Sequence, residues 1–182
     1  MQTWAWIVIA VVIALVAVGG LLAAYRTKRS KDLRERFGSE YDRVAADAPT
    51  RRDAEAQLRE RERRHEQFDI RPLHPEQRER YQEQWHDVQA EFVDDPSRAV
   101  ARADSLIQTV MRERGYPVED FDTRAGDLSV DHPDVVENYR AGHGIVVANE
   151  RGKAGTEELR KAFQHYRALF GELLEAREEV SR

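Results

Sequence analysis

Residues 75–117, PEQRERYQEQWHDVQAEFVDDPSRAVARADSLIQTVMRERGYP, carry the pattern that decides the fold. In the first half, the apolar residues are spaced by four, three and four positions, which places them on one face of an α-helix: Tyr81, Trp85, Val88 and Phe92. Residues 94–96, Asp-Asp-Pro, then supply a helix cap and a proline suited to the first turn of a second helix. The stretch therefore predicts two amphipathic helices in succession.

The rest of the C-terminal part continues in the same way, and no stretch alternates with period two for long enough to predict a strand. We predict an all-α protein with an N-terminal transmembrane helix, a charged helical stalk and a small helical bundle over residues 73–182. Eight aromatic side chains should supply most of the core of that bundle: Tyr81, Trp85, Phe92, Phe121, Tyr139, Phe163, Tyr166 and Phe170.

Residues 4–25, WAWIVIAVVIALVAVGGLLAAY, contain no charged side chain. A helix of this length reaches ~33 Å, enough to cross a hydrocarbon core of about 30 Å. Trp4 and Trp6 at one end and Tyr25 at the other suit the two membrane interfaces. The alternative, a cleaved secretory signal, needs a basic start and a shorter apolar run. We therefore predict a membrane anchor over residues 1–25.

The charge pattern predicts which side of the membrane the domain occupies. Arg26, Lys28, Arg29 and Lys31 follow the apolar run directly, and no basic side chain precedes it. By the positive-inside rule, the C-terminal part lies in the cytoplasm, below the inner or plasma membrane of the cell, and the four basic groups can contact anionic headgroups. Residues 32–182 carry a formal charge of −9, which argues against nucleic acid as a partner.

Residues 26–72 read as a basic neck followed by a charged stalk, which Gly38 and Pro49 break into short helices. Their apolar stripes are narrow, too thin to stabilise an isolated helix. They consist of Leu33, Phe37, Tyr41 and Val44, and then Ala54, Leu58 and His65. We predict a solvated stalk, with a partner-binding or self-pairing helix as the alternative.

The sequence offers little support for a catalytic, metal or cofactor site. It has no cysteine, so a thiolate metal site and a cysteine nucleophile are excluded. Phosphate-binding glycine loops, HExxH and GxSxG are all missing, and none of the six histidines lies three or four residues from another. We predict no catalytic residue, no metal ligand and no cofactor. In residues 127–140, DLSVDHPDVVENYR, Asp131, His132 and Asp134 could form a metal or acid–base group, but a capped helix start explains the same spacing.

One local anomaly is Gly142-His143-Gly144 inside a predicted helix, where each glycine costs up to ~1 kcal/mol relative to alanine. The compensation is close approach either of a neighbouring helix or of a ligand. If it is a ligand, the candidate pocket consists of Tyr139, Gly142, His143, Gly144 and Tyr166.

Several phrases spread over the C-terminal part resemble an uncharacterised family of single-pass bacterial membrane proteins, frequent in GC-rich actinomycetes. They are RFGSEYDR (36–43), RHEQFDIRPL (64–73), FVDDP (92–96), MRERGYPVEDF (111–121) and DLSVDHPDVVENYR (127–140). That family has no assigned activity, ligand or catalytic residue. The resemblance therefore implies an anchor and a helical domain, and it implies no mechanism.

The sequence favours a membrane-anchored, non-enzymatic helical interaction module. Its partners would be the lipid bilayer and either an unknown protein or a second copy of the chain, because pairs of small residues four apart in the apolar run, such as Gly20 and Ala24, permit close helix pairing. The alternative is a membrane-tethered small-molecule sensor with a pocket in the bundle. An enzyme built from carboxylates and histidines of several helices ranks third.

Overall fold

The computed structural model describes residues 3–175, and the regular secondary structure of this range is entirely α-helical. The helices in chain order are α1 Thr3–Phe37, α2 Ser39–Asp47, α3 Arg51–His65, α4 Pro75–Asp94, α5 Pro96–Glu113, α6 Phe121–Asp131, α7 Pro133–Glu150 and α8 Thr156–Glu175. The all-α prediction is confirmed. Within α1, the described side chains are those of residues 16–21, 24, 25 and 27–37.

The breaks between helices follow the local sequence. Asp95 caps α5 by accepting a hydrogen bond from the Arg98 backbone N–H at 3.0 Å, and Pro96 occupies the first helical position. Asp120 caps α6 in the same way through the Thr123 backbone N–H at 3.1 Å. These caps satisfy backbone N–H groups that have no partner inside the helix.

The main hydrophobic core lies between α4, α5, α6, α7 and α8. The Trp85 ring stacks on two rings of α8, with centroid distances of 5.1 Å to Phe163 and 4.4 Å to Phe170. Six of the eight predicted core aromatics are buried, and Phe92 and Phe121 are partly buried against the same core. The predicted helical bundle and its aromatic core are therefore confirmed.

A second, smaller core corrects the prediction of a solvated stalk. It is formed by buried residues of α1, α2, α3 and α6: Leu33, Phe37, Tyr41, Val44, Ala54, Leu58 and Val130. Each stripe is too narrow to stabilise its helix alone. The stripes of α1, α2 and α3 pack against one another, and α6 covers them. Residues 33–58 are thus part of the folded domain, because the partner of these stripes is the chain itself.

The predicted anchor is only partly covered by the described residues. The side chains of Trp4, Trp6 and Arg26 lie outside them, and Tyr25 is 62% exposed. Within the described part of the chain, no helix has the length and apolar character that crossing a bilayer requires. The membrane anchor stays a prediction.

The buried carboxylate of Glu40 joins the second core to the main bundle. Glu40 is 2% exposed and binds arginines of three helices: Arg43 of α2 at 2.9 Å, Arg61 of α3 at 2.8 Å and Arg140 of α7 at 3.0 Å. Burial by itself raises the pKa of Glu40, but these hydrogen bonds outweigh it and lower the pKa to about 2. Glu40 is therefore ionised at neutral pH and holds α2, α3 and α7 together.

We expect Glu40→Gln to lower the free energy of unfolding by about 3–5 kcal/mol, because it removes the buried charge that pairs with three arginines, of which Arg61 and Arg140 are only 20% and 15% exposed. Urea unfolding of the full chain in mild detergent, followed by near-UV circular dichroism of the packed aromatics, measures this. Glu60→Gln is the matched control. Both side chains of the Glu60–Arg63 pair are 67% exposed, and an exposed pair contributes less than about 1 kcal/mol.

The stability of Glu40→Gln should also depend on pH differently from that of the natural chain. The pKa of Glu40 falls from 4.5 to about 2 in the folded chain, so its charge adds stability above pH 4.5 and loses that contribution as the pH falls toward 2. The stability difference between the natural chain and Glu40→Gln should therefore be largest near neutral pH and shrink on acidification. A difference that stays constant down to pH about 3 would contradict the charged Glu40 link.

Candidate functional site

The structure brings together part of the predicted pocket, where α7 meets α8. A Cβ atom built on Gly142 would lie 2.8 Å from Cε1 of Tyr166, and the Tyr139 and Tyr166 ring centroids are 6.1 Å apart. Gly144 is exposed and has nothing within 4 Å of its Cβ position. Gly142 therefore provides room for the Tyr166 ring, which is the close approach of a neighbouring helix and not an open pocket.

The tyrosine hydroxyls of this region face charged groups. The Nε of Arg124, a residue 5% exposed, donates a 2.6 Å hydrogen bond to the Tyr139 hydroxyl. Burial, and then the charge of Asp104, raise the pKa of both Tyr139 and Tyr166. Both phenols are therefore protonated at neutral pH. Sequence reasoning missed Arg124 and Asp104, since nothing in their local pattern distinguishes them from surface charges.

Three buried polar atoms of this region make no well-formed hydrogen bond among the described residues: Asp104 Oδ1, His143 Nδ1 and the Tyr166 hydroxyl, although the Tyr166 hydroxyl and the Asp104 carboxylate lie close enough together to interact. The His143 ring stacks on Phe121 with a centroid distance of 3.6 Å. Burial lowers the pKa of His143 more than the charge of Asp104 raises it, so the imidazole is neutral at neutral pH. Buried polar atoms without a well-formed hydrogen bond are costly, so a polar ligand that paired with them would be stabilised here.

A second polar group, which the sequence did not predict, links α3 to α6. The Nε2 atom of His65 lies 2.6 Å from Oδ2 of Asp131, and the Tyr116 hydroxyl donates to the same oxygen at 2.6 Å. Burial raises the pKa of Asp131, but hydrogen bonds from His65 and Tyr116 outweigh it, so the pKa is lowered. A carboxylate that orients an imidazole also occurs in catalytic triads. Here the third group is a phenol whose pKa burial raises, which makes it a poor nucleophile.

The candidate metal or acid–base group in residues 127–140 is divided among different partners. Asp131 faces His65, His132 Nδ1 lies 3.2 Å from Glu172 Oε1, and Asp134 is exposed. His132 stands at the N-cap of α7 without a side-chain cap hydrogen bond. Within the residues that the structure describes, no cluster of histidines and carboxylates could hold a metal ion.

A shallow depression on the outer face of α8 lies away from the predicted pocket. It is lined by Gln164, Arg167, Ala168, Gly171, Glu172 and Glu175. All six residues belong to one helix, so the depression offers no convergence of groups from different elements. It does not resemble the concave, largely apolar sites that bind small molecules.

The predicted basic neck is exposed where the structure describes it. Lys28, Arg29 and Lys31 are all exposed, and none of them has a described acidic side chain within salt-bridge distance. Ser30 between them is buried, which shows that only one side of this part of α1 contacts the domain. The basic groups are free to contact a charged partner.

No protein-family model, no curated protein and no solved structure matches this chain. The resemblance to a family of single-pass bacterial membrane proteins therefore stays a prediction.

The two glycines of α7 make a matched pair for a stability test. Gly142→Ala should destabilise the chain, because the new methyl group meets the Tyr166 ring at 2.8–2.9 Å and overpacking typically costs about 1–3 kcal/mol. Gly144→Ala should stabilise it by up to ~1 kcal/mol through helix propensity alone. Urea unfolding of both variants measures the difference. Equal effects would show that the ring does not pack against α7 at Gly142.

Proposed function

We propose that this chain is held in a membrane by the N-terminal part of α1 and presents its helical bundle to a protein partner at the cytoplasmic face, without being an enzyme. The observation that carries the proposal is the course of α1. It runs without a break from Thr3 to Phe37, its last turns lie in the second core, and the apolar side chains before them are exposed. These are Val16 at 69%, Val18 at 53%, Leu21 at 71% and Tyr25 at 62%.

The exposed apolar residues favour lipid over protein as their covering. At about 100° per residue, Val16 and Val18 point to nearly opposite sides of the helix. One protein partner on one face would cover only one of them, whereas a bilayer surrounds a helix on all sides. A helix that is apolar all round is typical of a membrane span or of a fully buried core. The apolar run also continues through residues 4–15, whose side chains are not among those that the structure describes.

The basic neck is the observation from which we infer the side of the membrane on which the bundle lies. Exposed Lys28, Arg29 and Lys31, preceded by Arg26 in the sequence, follow the apolar run directly. An excess of basic residues within about 15–20 residues of a span marks its cytoplasmic end. This supports a cytoplasmic bundle.

The polar groups of the domain support an interaction role over a catalytic one. Glu40 joins α2, α3 and α7, and Asp131 joins α3 to the loop residue Tyr116. Both carboxylates are occupied by contacts that hold helices together, and among the described residues the hydroxyl that bonds to either of them is the Tyr116 phenol, a poor nucleophile. The exposed surfaces of α4 and α8 remain available to a partner protein or a second copy of the chain.

Membrane anchoring is tested by fractionating cells that make the full chain. We expect it in the membrane pellet, resistant to alkaline carbonate and to high salt, and released by detergent. Val12→Arg combined with Val16→Arg is the matched control, since each arginine costs about 2.5–3.5 kcal/mol at the bilayer centre and the folded domain is left intact. Recovery of the natural chain in the soluble fraction would contradict the anchor.

The interaction role is tested by chemical cross-linking in intact cells. We expect a defined species that contains this chain and one partner, either a second copy or another protein, and that is lost when the exposed face of a bundle helix is altered. Thermal melting of the altered chain must be unchanged for the loss to count. A chain that remains uncross-linked throughout would contradict the interaction module.

A second candidate function, a membrane-tethered binder of a small polar molecule, is favoured by three buried polar atoms, of Asp104, His143 and Tyr166, that make no well-formed hydrogen bond among the described residues. Thermal-shift measurements of the full chain in detergent against a metabolite panel test it. A ligand that uses this site should lose its shift in Tyr166→Phe, which removes the hydroxyl and keeps the ring. A flat response across the panel would leave the interaction module as the sole proposal.

A further inference from the structure

Helices α1 and α3 lie side by side and run in the same direction. Near the start of α3, the Arg51 guanidinium donates to Ser30 Oγ at 2.7 Å. Farther along both helices, Arg36 of α1 pairs with Glu62 of α3 at 3.1 Å. The first residues of α3 are therefore at the level of Ser30, at the end of the domain from which the apolar part of α1 emerges.

Helix α2 runs back toward the same end. It begins after the turn at Gly38. Its Asp42 pairs at 3.0 Å with Arg34 of α1, which precedes that turn by four residues. The connection between α2 and α3, residues 48–50, therefore lies beside the neck of α1, near Ser30. Arg51 and Arg52 follow this connection directly.

These positions place two arginines of α3 close to the proposed membrane surface. Tyr25, the predicted interfacial residue, precedes Ser30 by five residues, which is ~7.5 Å along a helix. A charge at this distance lies within one Debye length, about 8 Å at physiological ionic strength. Arg51 and Arg52 are therefore near enough to act on anionic headgroups.

Basic side chains outnumber acidic ones at this end of the domain by five to four. Lys28, Arg29, Lys31 and Arg52 are exposed, and none of them has a described carboxylate within salt-bridge distance. Arg51 is 66% exposed although it pairs with Glu55 and donates a hydrogen bond to the Tyr41 hydroxyl at 2.9 Å. The nearby acidic groups are partly engaged, since Asp47 pairs with Arg43 at 3.2 Å and Asp53 accepts a hydrogen bond from Thr50 at 2.8 Å, while Asp32 is exposed.

We propose that Lys28, Arg29 and Lys31 of α1 together with Arg51 and Arg52 of α3 form a two-helix basic surface that binds the headgroups of anionic phospholipids. The inference rests on the proposed anchor and adds a second contact to it. An anchor alone leaves the domain free to tilt and rotate about α1. A contact through α3, which the second core holds against α1, sets one orientation of the bundle relative to the membrane.

The test uses the full chain, reconstituted into vesicles of phosphatidylcholine alone or with phosphatidylglycerol added. The chain has no cysteine, so Ala46→Cys, exposed near the end of α2, takes a single fluorescent label. Quenching by a spin label on the lipid headgroup reports how close this end of the domain lies to the membrane. We expect stronger quenching with phosphatidylglycerol and a return to the phosphatidylcholine value in high salt.

Two charge reversals on α3 distinguish binding through the two-helix basic surface from a general effect of net charge. Arg52→Glu should lower the ratio of docked to undocked domain at least fivefold, since one basic group near an anionic surface contributes ~1 kcal/mol. Arg63→Glu near the other end of α3, 67% exposed, should leave the quenching unchanged. Equal losses in the two variants, or equal quenching in both kinds of vesicle, would overturn the two-helix basic surface.

The remaining outcomes separate this inference from the anchor. A chain that fails to float with phosphatidylcholine vesicles overturns the anchor, whereas a chain that floats without any lipid-dependent quenching overturns only the basic surface. Inorganic phosphate that abolishes the quenching at constant ionic strength would identify a soluble anion as the ligand and overturn binding to the lipid headgroup.

Discussion

The Glu40 carboxylate is the contact on which the arrangement of the two cores depends. A buried carboxylate is tolerated only where charged or strongly polar donors replace the water it has lost. Glu40 finds these donors on three helices, in Arg43, Arg61 and Arg140, and the Nη1 atom of Arg61 also lies 3.3 Å from Ser129 Oγ of α6. These donors must stay within hydrogen-bond distance of one buried group. The second core is therefore held against α6 and α7 in a defined position.

This position connects α1 to the bundle. Leu33 and Phe37 of α1 are buried in the second core, and the second core is joined to α7 through Arg140. The connection between the apolar part of α1 and the bundle is thus a continuous helix followed by packed side chains, not a flexible linker. In the proposed function, the membrane would determine where the bundle faces, because α1 and the start of α3 present their basic residues at the same end of the domain.

The polar groups inside the main bundle differ from those at Glu40 in how completely they are paired. Asp131 receives a hydrogen bond from Tyr116 and lies against His65, and Glu40 has its three arginines. Asp104, His143 and Tyr166 each keep one buried polar atom without a well-formed hydrogen bond among the described residues. The carboxylates of Asp131 and Glu40 support the fold. The region of Asp104, His143 and Tyr166 is where a polar ligand would gain most. This difference favours the interaction role for the domain as a whole and confines the alternative to one region.

The sequence by itself determined the helices, because their signals are local. The spacing of Tyr81, Trp85 and Val88 specifies an apolar face within a few turns, and a cap and a proline at Asp95-Pro96 end one helix and begin the next. Only the tertiary structure decided which faces meet. The second core joins Leu33 to Val130, and Glu40 pairs with a residue 100 positions later, contacts that no periodicity encodes. Even Gly142, which stands out locally, owes its role to Tyr166 on another helix, since the need for a missing side chain arises only when two helices pack.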